Sequence, residues 1–176
     1  VKTILLDSSA FIAGIEIGEG EVKSFTVPSV IIEIEKNPLL RLRIQVATNS
    51  GRLLVTSPEP KYVSEIEGIS KTLGEAGFLS TPDKELLALA LQFKKEDKDP
   101  IIFSDDFSIQ NIAEYLSIKY FSASTRGIEK ALKWAIYCPG CKRTFDKLDE
   151  SRLCPICGTG LKRRPLKKSN IKSKLK

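Results

Sequence analysis

Over roughly its first 125 residues the chain alternates short apolar runs with amphipathic stretches, and this alternation restricts its fold more than any other feature. KTILLD, FTVPSV, RLLVTS, IIFS and IKYF have the length and bulk of buried strands or extended segments. Between them, VIIEIEK, residues 39–50, PKYVSEIEGISKTLGEAG, LSTPDKELLALALQFKKE and DFSIQNIAEYL carry helical spacing. The fourth is the clearest helix: Ser80 or Thr81 can cap it, Pro82 suits its first turn, and Leu86, Leu87, Leu89, Ala90 and Phe93 form a broad apolar face. Ser29 is the expected N-cap of VIIEIEK, and the PKYVSEIEG helix should end near Gly74 or Gly77. Strands alternating with helices specify an α/β domain, a parallel sheet covered on both faces, over residues 1–125. TRGIEKALKWA extends the helical pattern, so residues 126–137 read as a linking helix.

Charge is unevenly distributed along this frame. Residues 138–176 hold twelve Lys/Arg against three Asp/Glu, whereas residues 1–137 hold sixteen against nineteen. A mildly acidic body therefore carries a basic end, which suits a polyanionic partner because each cation near a phosphate releases counterions. No apolar run reaches the ~18 residues of a membrane span, and the opening VKTILLD lacks the apolar core of a secretory signal, so the expected setting is the cytoplasm. The chain contains no histidine. Ser-His-Asp and Cys-His catalysis are thereby excluded, and hydrolytic chemistry would rest on carboxylates, lysine or bound metal.

Carboxylates occur where an α/β sheet gathers its ligands, beyond the C-terminal strand ends. Asp7 ends the first strand, Asp105 and Asp106 follow IIFS, Asp83 sits in the first turn of a helix, and Glu33 and Glu35 flank the apolar stripe of Val30, Ile31 and Ile34. Each has a structural explanation: Asp7 and Asp106 as helix caps, Asp83 as a favourable charge at a helix N-terminus. Their joint placement suggests more. Two carboxylates ~4 Å apart repel by ~4 kcal/mol at an effective dielectric of ~20. A hard divalent cation, Mg²⁺ or Mn²⁺, relieves that repulsion and can activate water without a histidine.

The four cysteines fall into two knuckles, CPGC at 138–141 and CPIC at 154–157, separated by twelve residues. That pattern predicts a zinc ribbon over residues 138–161, with Cys138, Cys141, Cys154 and Cys157 as ligands and Gly158 in the tight turn after the second pair. Four thiolates leave no open position, so this Zn²⁺ is structural and stabilises a unit too small to fold on apolar burial alone. Disulfides would need an oxidising compartment. Iron would use the same ligands, but the basic surroundings suit nucleic acid better than electron transfer. Phe145 and Leu148 are the expected ribbon core, with Trp134 and Tyr137 at the junction, and residues 162–176 read as a basic, disordered tail.

LLDSSAFI, VPSVIIEIEK, LSTPDKELLALALQ and FSDDFSIQNIA together resemble the four acidic motifs of the PIN-domain ribonucleases. SDDFSIQN followed by a cysteine ribbon is similar to the branch that matures the 3′ end of small-subunit rRNA in archaea and eukaryotes. The resemblance implies a PIN-like three-layer domain and a metal-dependent endoribonuclease cutting single-stranded precursor rRNA, with the small ribosomal subunit as partner. Carried over by motif, the catalytic positions are Asp7, Glu33, Asp83, Asp105 and Asp106, with Asp7, Asp83 and Asp106 as Mg²⁺ or Mn²⁺ ligands. Periodicity does not choose between Glu33 and Glu35, whereas the family's V-x-x-E-I pattern favours Glu33; Asp106 is favoured over Asp105 for the metal. Ser104 stands where the family often has threonine. Lys142, Arg143, Lys162, Arg163, Arg164, Lys167 and Lys168 are the expected phosphate contacts. Two other readings compete: a toxin-type PIN nuclease acting on tRNA or mRNA, whose chains typically end near the α/β domain, and a non-catalytic RNA-binding assembly factor.

Overall fold

The computed structural model describes residues 2–18, 20–122, 134–145 and 152–165. In chain order the elements are β1 (Lys2–Leu6), α1 (Ser8–Ile12), β2 (Val22–Thr26), α2 (Pro28–Ile34), α3 (Pro38–Asn49), β3 (Leu53–Val55), α4 (Pro60–Leu73), α5 (Thr81–Lys95), β4 (Ile101–Phe103), α6 (Phe107–Tyr115) and β5 (Lys119–Phe121). Then come β6 (Trp134–Tyr137), β7 (Thr144–Phe145) and β8 (Lys162–Pro165). The first five strands form one parallel sheet, ordered β3-β2-β1-β4-β5. The last three form a separate antiparallel sheet, ordered β7-β6-β8. No helix among the described residues is long and apolar enough to cross a membrane.

The expected α/β architecture is what the structure contains, and its core is organised around α5. Leu86 through Leu91 are all buried, because this helix packs against β1, α2, α4 and α6. A helix enclosed on several sides must be apolar around most of its circumference, and LLALAL meets that demand. Each fully buried leucine contributes about 2 kcal/mol. Its start is fixed by a capping box: Ser80 Oγ accepts from the Asp83 N–H at 3.4 Å, and Asp83 Oδ2 accepts from the Ser80 N–H at 2.7 Å.

Two local expectations are corrected. Val27, not Ser29, occupies the N-cap of α2, because Pro28 has its φ preset for the first turn and starts the helix early. Ser29 lies inside the helix and donates to Glu85 Oε2 of α5 at 2.6 Å. Trp134–Tyr137, read as the end of a linking helix, is strand β6, paired with Lys162–Pro165, which was assigned to the tail. Helical periodicity in TRGIEKALKWA cannot register a partner strand so distant in sequence. The rest of that segment, Leu148 and residues 166–176 lie outside the described residues.

The ribbon docks against the turn between α4 and α5. Gly74 ends α4 in the left-handed conformation, φ 75°, and a Cβ there would lie 2.5 Å from the Trp134 carbonyl oxygen. Glu75 follows, only 1% exposed, and pairs with Arg163 of β8 at 2.6 Å. Its other oxygen accepts from Asn111 Nδ2 of α6 at 2.8 Å. The Arg163 guanidinium is flanked by aromatic rings, 3.9 Å from the Phe78 centroid and 4.5 Å from Trp134. Arg152 adds a hydrogen bond to the Gly77 carbonyl at 3.2 Å. Replacing one member of such a pair strands the other's charge. Arg163→Met should therefore lower unfolding stability by roughly 3 kcal/mol, and adding Glu75→Gln should recover part of the loss. Chemical denaturation of Arg163→Met, Glu75→Gln and the double variant checks this, and additive losses would contradict it.

Candidate active site

Sheet order reverses about β1 and β4: the chain builds outward to β2 and β3 on one side, then returns to build β4 and β5 on the other. Loops diverge at that point and leave a crevice beyond the strand ends. Leu6 and Phe103 are register partners, so both strands finish level, and the Asp7 N–H donates to the Phe103 carbonyl at 3.1 Å. Asp7 is thereby placed beside the turn Ser104–Asp105–Asp106.

Asp7 is 4% exposed and fully engaged. Its Oδ1 accepts from the Ser8 N–H at 2.6 Å, and its Oδ2 accepts from the hydroxyls of Ser104 at 2.9 Å and Ser9 at 3.1 Å. Ser9 Oγ also accepts from the Asp105 N–H at 3.0 Å, tying the first turn of α1 to the end of β4. Asp106 caps α6, its Oδ1 accepting from Ser108 N–H at 2.6 Å and Ile109 N–H at 3.3 Å. Capping by Asp83 uses Oδ2 and by Asp106 uses Oδ1. Among the described residues no hydrogen bond engages the second oxygen of either. The structural role of these acids therefore leaves one oxygen of each available to a cation.

The three carboxylates interact electrostatically. Burial pushes the Asp7 carboxyl above the ordinary carboxylate range, opposed by the hydrogen bonds from Ser104, Ser8 and Ser9 and reinforced by the Asp106 charge. Burial likewise raises Asp83, where the Asp7 and Asp106 charges act in the same direction against the Ser80 hydrogen bonds. Among the described residues no three carboxylates bring ligand oxygens within 4.8 Å of one another. Among the described residues, the cluster close enough to hold one ion is that of the four cysteines.

Asp105 Oδ1 accepts from Ser122 Oγ at 2.5 Å. Glu33 is exposed on α2, and among the described residues no hydrogen bond joins it to the aspartates. Ser29 lies one turn earlier on the same helical face and reaches α5 through Glu85, so the Ser29–Glu33 face is turned toward the helix that carries Asp83. Gln110 and Asn111 are buried braces: Gln110 Nε2 donates to the Ser104 carbonyl at 2.9 Å, and Asn111 holds Glu75. Sequence reasoning missed Ser9, Ser104 and Ser122 as organisers of the acids. The doublet Ser8–Ser9 directly after Asp7 is the available signal.

The cysteines converge. All four Sγ atoms lie within 4.8 Å of one another, with Cys138 and Cys157 3.4 Å apart and Cys141 and Cys154 3.6 Å apart. These separations exceed a disulfide bond of about 2.05 Å and approach the ~3.8 Å edge of a tetrahedron with Zn–S bonds of ~2.3 Å. The two knuckles repeat one geometry: the residue after each pair, Lys142 at φ 62° and Gly158 at φ 69°, is left-handed and donates its N–H to the first cysteine's carbonyl at 2.9 Å. Thr159 beside Cys157 lowers that thiol to about 6, favouring the thiolate a metal needs. Lys142, Arg143, Lys162 and Arg164 are exposed on this unit, whereas Arg163 is turned onto the body by Glu75 and is a docking residue; Lys167 and Lys168 lie outside the described residues.

A family model described as the PIN domain of ribonuclease matches residues 4–93, about half of the chain and including Asp7 and Asp83. The chain belongs to the PIN-domain ribonucleases. Endoribonuclease Nob1 of Pyrococcus abyssi is 35% identical over 159 residues, 90% of this PIN ribonuclease and 91% of the relative. Endoribonuclease Nob1 of Methanocaldococcus jannaschii is 35% identical over 178 aligned positions, 100% of this chain and 82% of the relative. Ribonuclease VapC1 of Thermoplasma acidophilum is also 35% identical, over 90% of this chain and 76% of its own length. A match of that extent means that the ribbon does not by itself separate the two names, contrary to the expectation that toxin-type chains end near the α/β domain.

Raised acids give a signed prediction. A carboxyl whose folded pKa lies above its unfolded value costs stability as pH rises from the unfolded value through the folded one, and the cost disappears below both. In chelator, Asp7→Asn should therefore melt at or above the wild-type temperature at neutral pH, with the difference shrinking as pH falls through the raised range. A mutant that melts lower by a pH-independent margin would contradict this.

Proposed function

We propose that this protein is a metal-dependent endoribonuclease that cuts single-stranded precursor rRNA at the 3′ end of small-subunit rRNA. The observation that carries the reading is the meeting of Asp7, Asp83 and Asp106, from three separate segments, within one another's field at the sheet's switch point. The length-wide similarity to relatives named Endoribonuclease Nob1 supports the choice of substrate. Acting on ribosomal precursors, the enzyme would work in the cytoplasm with the small subunit as its partner.

Asp7, Asp83 and Asp106 would hold Mg²⁺ or Mn²⁺, a set of hard oxygen donors that fits either ion. When bound, that ion supplies charge neutralisation on the phosphodiester and a water of lowered pKa. The chain's own residues do the rest. Ser104 and Ser9 fix the Asp7 carboxylate. Asp105, held by Ser122, supports the turn that aims Asp106. Glu33 is the fourth acid, set on the side of α2 that faces α5. Exposed Lys142, Arg143, Lys162 and Arg164 take phosphates along the strand, with Lys167 and Lys168 extending the path. Zn²⁺ on the four cysteines holds that basic unit in shape.

The similarity to a relative named Ribonuclease VapC1 favours a second reading, cleavage of tRNA or mRNA. An end-labelled RNA spanning the 3′ boundary of small-subunit rRNA, assayed beside tRNA and mRNA, separates them. A single Mn²⁺-dependent cut at the boundary, abolished by EDTA and reduced by orders of magnitude in Asp7→Asn and Asp83→Asn, is the expected result. Cleavage confined to tRNA or mRNA would favour the toxin reading. Tight binding with no cut in any RNA would favour the assembly-factor reading.

A further inference from the structure

Two phenylalanines bracket the acidic turn and leave half of their surface in water. Phe107 follows Asp106 directly as the first residue of α6 and is 50% exposed. Phe121 ends β5 and is 54% exposed. Neither position calls for an exposed ring: a helix's first turn and the end of an edge strand are both served by polar side chains. Phe107 adjoins Asp106 in sequence, and the backbone beside Phe121 is joined to the acidic turn. The Phe121 carbonyl accepts from the Ser104 N–H at 3.1 Å, and the next residue, Ser122, holds Asp105. Phe103 and Phe121 are register partners, and their rings pack at 5.5 Å and 32°. Phe121 is thus supported from the side of β4 while much of its surface stays open.

We propose that Phe107 and Phe121 are stacking platforms for unpaired nucleobases on the two sides of the acidic turn, and that they make the site selective for single-stranded RNA. The proposal rests on the ribonuclease reading and adds the means of substrate choice. Every nucleobase offers a flat face to an aromatic ring, so such platforms grip a strand without reading its sequence. Bases inside a duplex are stacked and paired with each other and cannot reach the rings. The two platforms would hold the nucleotides that flank the scissile phosphate while the carboxylates act on the phosphate itself.

Binding can be measured without cleavage, using the full zinc-loaded chain carrying Asp7→Asn with no Mg²⁺ or Mn²⁺ added. The probe is a short single-stranded oligoribonucleotide with a fluorescent purine analogue placed at successive positions, beside the same sequence as a duplex. Fluorescence should be quenched at positions that meet the rings. Phe107→Leu or Phe121→Leu should each weaken single-strand affinity by roughly tenfold and remove one quenched position, whereas Phe→Tyr at either site should retain both properties. Duplex affinity should not change. Leucine variants that melt like the parent and still bind and quench like it would overturn the proposal, as would an equal loss for duplex and single strand. Abasic nucleotides at the quenched positions provide a check that leaves the protein fold untouched: weakening by a similar factor supports stacking, and unchanged affinity overturns it. Failure of the ribonuclease reading would look different, with no cleavage by wild-type protein in Mn²⁺ while the quench persists.

Discussion

Pairing between β1 and β4 is the constraint on which the rest of the site depends. Because Leu6 and Phe103 end level, Asp7 and the Ser104–Asp106 turn emerge at the same edge of the sheet, joined by the Asp7 N–H to Phe103 carbonyl bond. In the proposed reading the same three acids serve the fold and the chemistry. Asp7, Asp83 and Asp106 each satisfy backbone donors at a helix start, which is the cheapest way to fix a carboxylate without burying an unpaired charge. Burial raises the Asp7 and Asp83 carboxyls, and neighbouring carboxylate charges act in the same direction; under the proposed reading a cation would relieve that cost.

The ribbon is not merely attached to this body. Glu75 accepts from Asn111 on one oxygen and from Arg163 on the other, so one buried carboxylate joins α6, whose N-cap is Asp106, to the strand β8 of the ribbon. Gly74 gives β6 room to approach, since any side chain there would meet the Trp134 carbonyl. The docking of the cysteine unit and the placement of α6 thus share a contact.

The α/β frame and the acids were legible in the sequence because both follow from local pattern. Strand ends mark Asp7 and the Asp105–Asp106 pair and a helix start marks Asp83 as places where carboxylates gather, whereas their assignment as one catalytic set rests on the resemblance of the four acidic motifs. What escaped detection depends on distant partners. Arg163 looks like any member of a basic tail until Glu75, 88 residues away, claims it. Trp134–Tyr137 continues a helical pattern until β8 pairs with it. Ser29 has the chemistry of a cap, but Pro28 begins the helix one residue sooner and leaves the hydroxyl for Glu85. The serines around Asp7 were visible as residues and invisible as ligand holders, because hydroxyl direction is set by packing.

Anomalous diffraction from Mn²⁺-soaked crystals can locate the proposed cation site of the three helix-capping aspartates. A manganese peak is expected between Asp7, Asp83 and Asp106, separate from the zinc peak among the cysteines and lost in Asp7→Asn. Manganese absent from the carboxylates at saturating concentration, or retained there in Asp7→Asn, would contradict it.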